Sequence, residues 1–213
     1  MIVMPAQNSK GRVHYWAGKG FPVGWLFTPE GGIREPVEWI PYAIDNGRFA
    51  VWSSGGDWNE RKYMNCLEEY SSRIMQPRWI VVPDSVGDRD ETLREWERWH
   101  PVLESNFNLE FAFVAQDGMT PEDVPSEATI VFVGGTSVWK WRNLQMWVEN
   151  FERVHVGAVN SLKALLTCEE KGVESVDGTG WFRSPHRSDV LEKFFKIQAG
   201  EESLPDQMTL ALA

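Results

Sequence analysis

The stretch Trp79-Ile80-Val81-Val82-Pro83-Asp84 is an unbroken apolar run that stops on a carboxylate, and a helical pattern follows it. A short continuous run of this kind, bounded by a proline, predicts a strand buried on both faces. The pattern recurs along the chain. Pro41-Tyr42-Ala43-Ile44 leads into Asp45, Phe111-Ala112-Phe113-Val114-Ala115 into Gln116, and Ile130-Val131-Phe132-Val133 into Gly134-Gly135. Arg153-Val154-His155-Val156 ends on Gly157, and Val173-Glu174-Ser175-Val176 on Asp177. In a closed barrel of parallel strands, all strand C-termini open onto one face. Such a fold would gather Asp45, Asp84, Asp177, Gln116 and the glycine pair, far apart in sequence, into one pocket.

Helical segments alternate with these runs, which predicts an α/β protein. Tyr63, Cys66, Leu67, Tyr70 and Ile74 recur on one helical face, and Leu93, Trp96, Trp99 and Leu103 on another, with Pro101 near its end. Leu144, Trp147, Val148 and Phe151 line a third helix. Ser161 is placed to cap a fourth that carries Leu162, Leu165 and Leu166 and closes at Gly172. Leu191, Phe194 and Phe195 mark the last, and a single helical turn is expected near Pro121 to Val124. With Val13–Trp16 and Gly24–Phe27 taken as two early strands, the count reaches the eight of a compact single-domain (β/α)8 barrel. A doubly wound open sheet is the alternative, but there ligands gather near one switch point rather than around a ring of strand ends. The expected layout is a lead-in over residues 1–11, a barrel over 12–199 and a mobile polar tail over 200–213.

Composition narrows the function classes. The 213 residues suit one domain, and no apolar run reaches membrane-spanning length. The start of the chain lacks a basic-then-apolar secretory pattern, and Cys66 and Cys168 read as reduced thiols, so a cytoplasmic protein is expected. The net charge of −10 opposes a general coating of nucleic acid; a polymer substrate would need a local basic patch. No His/Cys/Asp grouping has metal-site spacing, and Gly18-Lys19-Gly20 lacks the spacing of a phosphate loop. Most of the 12 tryptophans are expected in the core.

Each strand ending also has a plain structural reading. Asp45 and Asp177 precede glycine-containing turns, and Asp84 lies close to a helix start. Together, however, they offer the two-carboxylate arrangement of glycosyl chemistry, one nucleophile and one acid/base, with a third acid left to bind a donor-rich ligand edge. Gln116 offers a donor and an acceptor to a flat heterocycle, and Gly134-Gly135 lets backbone approach one closely. His155, inside a strand, reads first as a structural histidine.

The order of these motifs resembles the tRNA-guanine transglycosylase superfamily, and more closely its compact phage and bacterial relatives of the DpdA type, which insert 7-deazaguanines into DNA. Ile44-Asp45-Asn46-Gly47-Arg48-Phe49 resembles the family's Asp-Ser-Gly-Gly-Phe element, Val114-Ala115-Gln116-Asp117-Gly118 its Val-Gln-Gly element, and Val133-Gly134-Gly135-Thr136-Ser137 its Gly-Gly-Leu element. Val82-Pro83-Asp84 and Ser175-Val176-Asp177-Gly178-Thr179 are similar to the strands that carry the base-reading and nucleophilic aspartates. The resemblance spans roughly Tyr42 to Arg183. It implies a TIM barrel with Asp177 as nucleophile, Asp45 as general acid/base, and Asp84, Gln116, Gly134 and Gly135 as base readers, with no cofactor or metal. The substrates implied are a flipped-out or single-stranded guanine in DNA and a free 7-deazaguanine of the preQ0 type.

The chain departs from the family in three places. Asn46 and Arg48 stand for Ser and Gly; Gly178-Thr179-Gly180-Trp181-Phe182-Arg183 stands where the tRNA enzymes carry a Cys and a Pro-Thr-Arg; and nothing can build their Cys/His zinc site. The alternatives are a tRNA-guanine transglycosylase, a hydrolase that lets water finish the reaction, and a non-catalytic deazaguanine-binding partner subunit. Lys140, Arg142, Arg183, His186 and Arg187 follow two strand ends and are candidate phosphate contacts. Gln207-Met208-Thr209-Leu210-Ala211-Leu212 resembles peptides that dock on the bacterial sliding clamp; its alternative is a tail packing on its own barrel.

Overall fold

The computed structural model of the protein describes residues 1–6, 10–31, 35–182 and 185–203. Its centre is one sheet of eight parallel strands: β1 (Ile2–Met4), β2 (Trp25–Phe27), β3 (Tyr42–Ile44), β4 (Ile80–Val81), β5 (Phe111–Ala115), β6 (Ile130–Val133), β7 (Val154–Val156) and β8 (Ser175–Asp177). From β2 to β8 each strand pairs with its successor in sequence, and β8 pairs with β1 through Val3↔Val176. The remaining seam, between β1 and β2, is bridged at Val3↔Val23 and Ala6↔Leu26. The sheet therefore curls into a nearly closed TIM-like (β/α)8 barrel, as the apolar runs predict.

Among the described residues, seven α-helices surround the strands: α1 (Lys10–Gly18), α2 (Arg48–Ser54), α3 (Glu60–Ser71), α4 (Arg89–Asn106), α5 (Ser137–Asn150), α6 (Leu162–Glu170) and α7 (Pro185–Gln198). Short polar side chains start several of them. Asn59, Asp88 and Ser161 accept from backbone N–H groups three residues on, at 2.9, 3.0 and 3.2 Å. Gly172, at φ 75°, turns the chain from α6 into β8. No α-helix follows β2 or β5 among the described residues; only the 3-10 turns Pro29–Gly31 and Pro121–Asp123 stand there. This shortens the barrel to the length observed.

Strand alternation divides the core in two. One set of strand side chains, including Tyr42, Ile44, Val131 and Val133, faces the helices and packs with Leu144, Trp147, Phe194 and Phe195. The other fills the barrel and includes Met4, Leu26, Ala43, Trp79, Val81, Ala112, Val114 and Ile130, with Phe132 packed against them. This plug closes the lower barrel and leaves the C-terminal mouth open.

Three readings of the sequence are corrected. Val13–Trp16 lies in α1, not in a strand: Val13 and Trp16 are buried while His14 and Tyr15 are not, which is helical spacing. The eighth strand is instead Ile2–Met4, inside the stretch read as a lead-in, and only its long-range pairing with β8 identifies it. Ile74 falls beyond the end of α3 and is 97% exposed. The glycine-containing turn expected after Asp45 is followed at once by the short helix α2, which no sequence pattern announces. Most tryptophans pack as expected, although Trp39 and Trp52 are exposed. Among the described residues no helix is long and apolar enough to cross a membrane. The tail motif Gln207–Leu212 and Arg183 lie outside the described residues.

Candidate active site

Each of the six strand endings that carry Asp45, Asp84, Gln116, Gly134-Gly135, Gly157 and Asp177 contributes to one cavity of about 260 Å³ at the C-terminal mouth of the barrel. Its wall also includes Asn46, Phe49, Phe132, Lys140, Ala158 and Asn160. The volume sits near the small end of small-molecule sites and suits a single ring system.

On one side, Asp84 and Gln116 form a locked pair. Asp84 is buried and its two carboxylate oxygens accept from different amides: Oδ1 from Asn46 Nδ2 at 2.8 Å and Oδ2 from Gln116 Nε2 at 2.7 Å. Gln116 Oε1 in turn accepts the backbone N–H groups of Gly87 and Gly135 at 3.1 and 3.2 Å. Because a carboxylate accepts only, these bonds fix which end of each amide is which. Burial raises the Asp84 pKa above the ordinary carboxylate range, while the two amides and the Arg48 charge oppose that rise.

Arg48 supports the pair from behind. Its Nη1 donates to the Asp84 carbonyl at 2.8 Å, its Nη2 pairs with Glu95, and its guanidinium stacks on Trp58 at 4.3 Å. Trp58 Nε1 donates to the Asn46 carbonyl at 2.8 Å, and Trp99 Nε1 to Glu95 at 3.1 Å. Asn46 and Arg48 thus hold Asp84 in place.

Asp45 and Asp177 occupy different surroundings. Burial, followed by the charges of Asp177 and Asp84, pushes Asp45 up from 3.8 to about 7; backbone N–H groups of Asn46 and Gly47 oppose this. Asp45 therefore exchanges a proton near neutrality. Asp177, at the end of β8, is held by hydrogen bonds: His155 Nε2 lies 3.2 Å from Oδ2, and the Ala158 N–H donates to Oδ1 at 3.3 Å. The pocket thus contains a carboxylate poised to carry a proton and a second that is oriented by fixed donors.

The glycines are required by close approach. A Cβ on Gly157 would stand 2.7 Å from Phe132 Cε1 and 3.3 Å from Asp177 Oδ2. Gly135 has φ 67°, and a Cβ there would meet Asp117 Oδ1 at 2.4 Å. Asp117 instead accepts from Thr136 N and Oγ1 at 2.5 and 2.6 Å, fixing the turn into α5. A Cβ on Gly178 would strike the Val159 carbonyl at 2.3 Å.

Lys140 corrects an expectation. It is only 5% exposed, and its ammonium donates to the Gly157 carbonyl at the cavity wall, with its pKa lowered by burial. It is not among the surface cations. Its spacing from Leu144 and Trp147 already puts it on the buried face of α5. Arg142, in the second turn of α5, and His186 and Arg187, in the first turn of α7, are exposed near the end of the barrel where the cavity opens.

His155, read first as a structural histidine, lies beside the Asp177 carboxylate. It is fully buried, yet it touches the Asp177 carboxylate and Ser175 Oγ. The signal is period two: residues two before the cavity-facing Gly157 and Asp177 point inward as well. Burial pushes the thiols of Cys66 and Cys168 up to about 12, so neither is a ready nucleophile. Among the described residues, no group of three His, Cys, Asp or Glu side chains is arranged to hold a metal ion. Compared with known proteins, the sequence matches no protein-family model and no curated protein.

Proposed function

We propose that this chain exchanges guanine in DNA for a 7-deazaguanine base through a covalent Asp177-glycosyl intermediate. The observation that carries this reading is that Asp45, Asp177 and the Asp84–Gln116 pair line one small cavity. Chemistry at a glycosidic carbon with retention needs a nucleophilic carboxylate and a second one that carries protons. Reading a purine-like edge needs a carboxylate facing ring N–H donors and an amide offering both donor and acceptor.

The reaction proceeds in two displacements. Asp177 attacks C1′ of the guanine nucleotide; the C1′–N9 bond breaks through an oxocarbenium-like state, and the departing guanine takes the proton held by Asp45. A 7-deazaguanine then replaces guanine in the pocket. Asp45 takes its N9 proton, N9 attacks C1′, and the bonding pair of the Asp177–C1′ ester returns to Asp177. Two inversions give net retention. An Asp45 titrating at about 7 is suited to both proton steps.

The target base must leave its stack to enter a cavity of this size, so single-stranded or flipped-out guanine is the substrate form. Arg142 and Arg187, exposed near the starts of α5 and α7, provide local positive charge on a chain of net charge −10, with His186 next to Arg187. Delivery by the tail motif Gln207–Leu212 is tested by deleting Gln207 to Ala213 and measuring sliding-clamp binding; unchanged affinity refutes it.

The experiment for the activity is nucleoside mass spectrometry of DNA and tRNA from cells that express the chain and are supplied with a 7-deazaguanine. The modified base is expected in DNA. Its appearance in tRNA alone reassigns the polymer, and its absence from both, with folded protein present, refutes the exchange.

A further inference from the structure

We propose that His155 is a positioning residue for Asp177: it holds the carboxylate in its attacking orientation and stabilises the charge that returns to Asp177 when the second base displaces it. This rests on the reading of Asp177 as nucleophile.

His155 sits at the centre of β7, in register with Phe132 on β6 and Ser175 on β8, and is fully buried inside the barrel. Trp79 and Phe132 clamp the ring, with centroids 4.8 and 4.5 Å away. A buried imidazole needs partners for both nitrogens. Nδ1 lies 2.8 Å from Ser175 Oγ and Nε2 3.2 Å from Asp177 Oδ2. An ionised carboxylate only accepts, so Nε2 carries the hydrogen and donates to it; the Ser175 hydroxyl is able to donate to Nδ1 and so fix that tautomer.

The other carboxylate oxygen receives the Ala158 N–H at 3.3 Å, from a residue at φ 58°, a conformation that costs a non-glycine residue some strain. Two donors, one within β7 and one just beyond its end, therefore fix the plane of Asp177. The His155 bond has a second consequence. Asp177 loses its negative charge when the ester to C1′ forms and regains it when that bond breaks. A donor on Oδ2 stabilises the returning charge, so His155 contributes most to the second displacement.

The test measures exchange of labelled guanine into a single-stranded guanine-containing oligonucleotide, together with the fraction of protein held as covalent adduct. His155→Phe is expected to lower kcat about 10- to 100-fold, lower the KM for the oligonucleotide in parallel so that kcat/KM stays within about threefold, and raise the adduct fraction. His155→Gln, whose amide reaches the Nε2 position, is expected to recover kcat to within about tenfold of wild type. Wild-type kcat and adduct fraction in a folded His155→Phe variant would overturn the inference alone. An inert wild type would overturn the transglycosylase reading and this inference with it. Should His155→Phe fail to fold, Ser175→Ala decides: it leaves the ring without its second anchor, and a fall in kcat with raised adduct supports the proposal, whereas wild-type kinetics refute it.

Discussion

Gln116 donates from Nε2 to Asp84 Oδ2 over 2.7 Å, joining the ends of two adjacent strands on one side of the cavity. Neither group alone is unusual. Joined, they form a planar edge with a fixed pattern of donors and acceptors, backed by Asn46, Gly87 and Gly135.

That edge is expected to respond more to charge than to size. Gln116→Glu replaces the donor facing Asp84 with a second carboxylate and removes a bond to a buried charged group, worth about 1.5–3 kcal/mol. Its kcat/KM for guanine exchange is expected to fall at least tenfold. The companion Asp84→Asn is expected to lose guanine selectivity, read by competition between guanine- and adenine-containing oligonucleotides. Unchanged kcat/KM and selectivity in both would separate the pair from recognition.

Asp45 makes a pH prediction. Its carboxyl is held at about 7 against an ordinary 3.8. Between those values the folded protein keeps a proton that the unfolded chain has released, so this group's contribution to stability falls as pH rises across that window and is level above about 7. Asp45→Asn removes the effect. The variant is expected to melt higher than wild type at pH 8, with a smaller difference at pH 4. In kinetics, wild-type kcat/KM for the oligonucleotide is expected to fall about tenfold per pH unit above the Asp45 pKa, because the first displacement uses the protonated form. Identical wild-type and Asp45→Asn melting profiles across this range would contradict the assignment.

Gly157→Ala tests how tightly Asp177, the proposed nucleophile, is confined. The added methyl would stand 2.7 Å from Phe132 and 3.3 Å from Asp177 Oδ2. Overpacking of this kind costs about 1–3 kcal/mol, and displacement of Asp177 is expected to lower kcat at least tenfold. Thermal unfolding and exchange kinetics read the two effects separately.

Lys140 and Arg142 follow the same strand but are expected to behave differently toward salt. For a single-stranded oligonucleotide, removing one phosphate contact changes the slope of log affinity against log salt by about 0.7. Arg142→Ala is expected to show that change. Lys140→Met is expected to leave the slope alone and lower kcat, since a buried opposite charge near Asp177 is lost. Filter binding across a salt series, run beside the exchange assay, checks both.

The barrel was legible because buried parallel strands are continuous apolar runs, and six of the eight announced themselves by stopping on a polar residue or a glycine. Strand β1 was not, since three residues carry no periodicity and its partner β8 lies at the far end of the chain. The cavity ring was legible for the same reason as the strands: in a barrel, the residue after each strand faces the mouth. The residues behind that ring were harder to read. Asn46 and Arg48 matter through Asp84, on another strand end, and their spacing shows no link to it. His155 and Lys140 were visible in principle through periods of two and 3.6, but a polar residue on an apolar face has a ready structural explanation until its partner is known.

The most direct test of the account is to trap the glycosyl-enzyme. Wild-type protein is incubated with a guanine-containing single-stranded oligonucleotide without an incoming base, denatured, digested and mapped by mass spectrometry. The expected result is a sugar-linked peptide carrying the modification on Asp177, absent from Asp177→Ala. An Asp177→Ala protein that still exchanges guanine, or an adduct mapped to another residue, would contradict it.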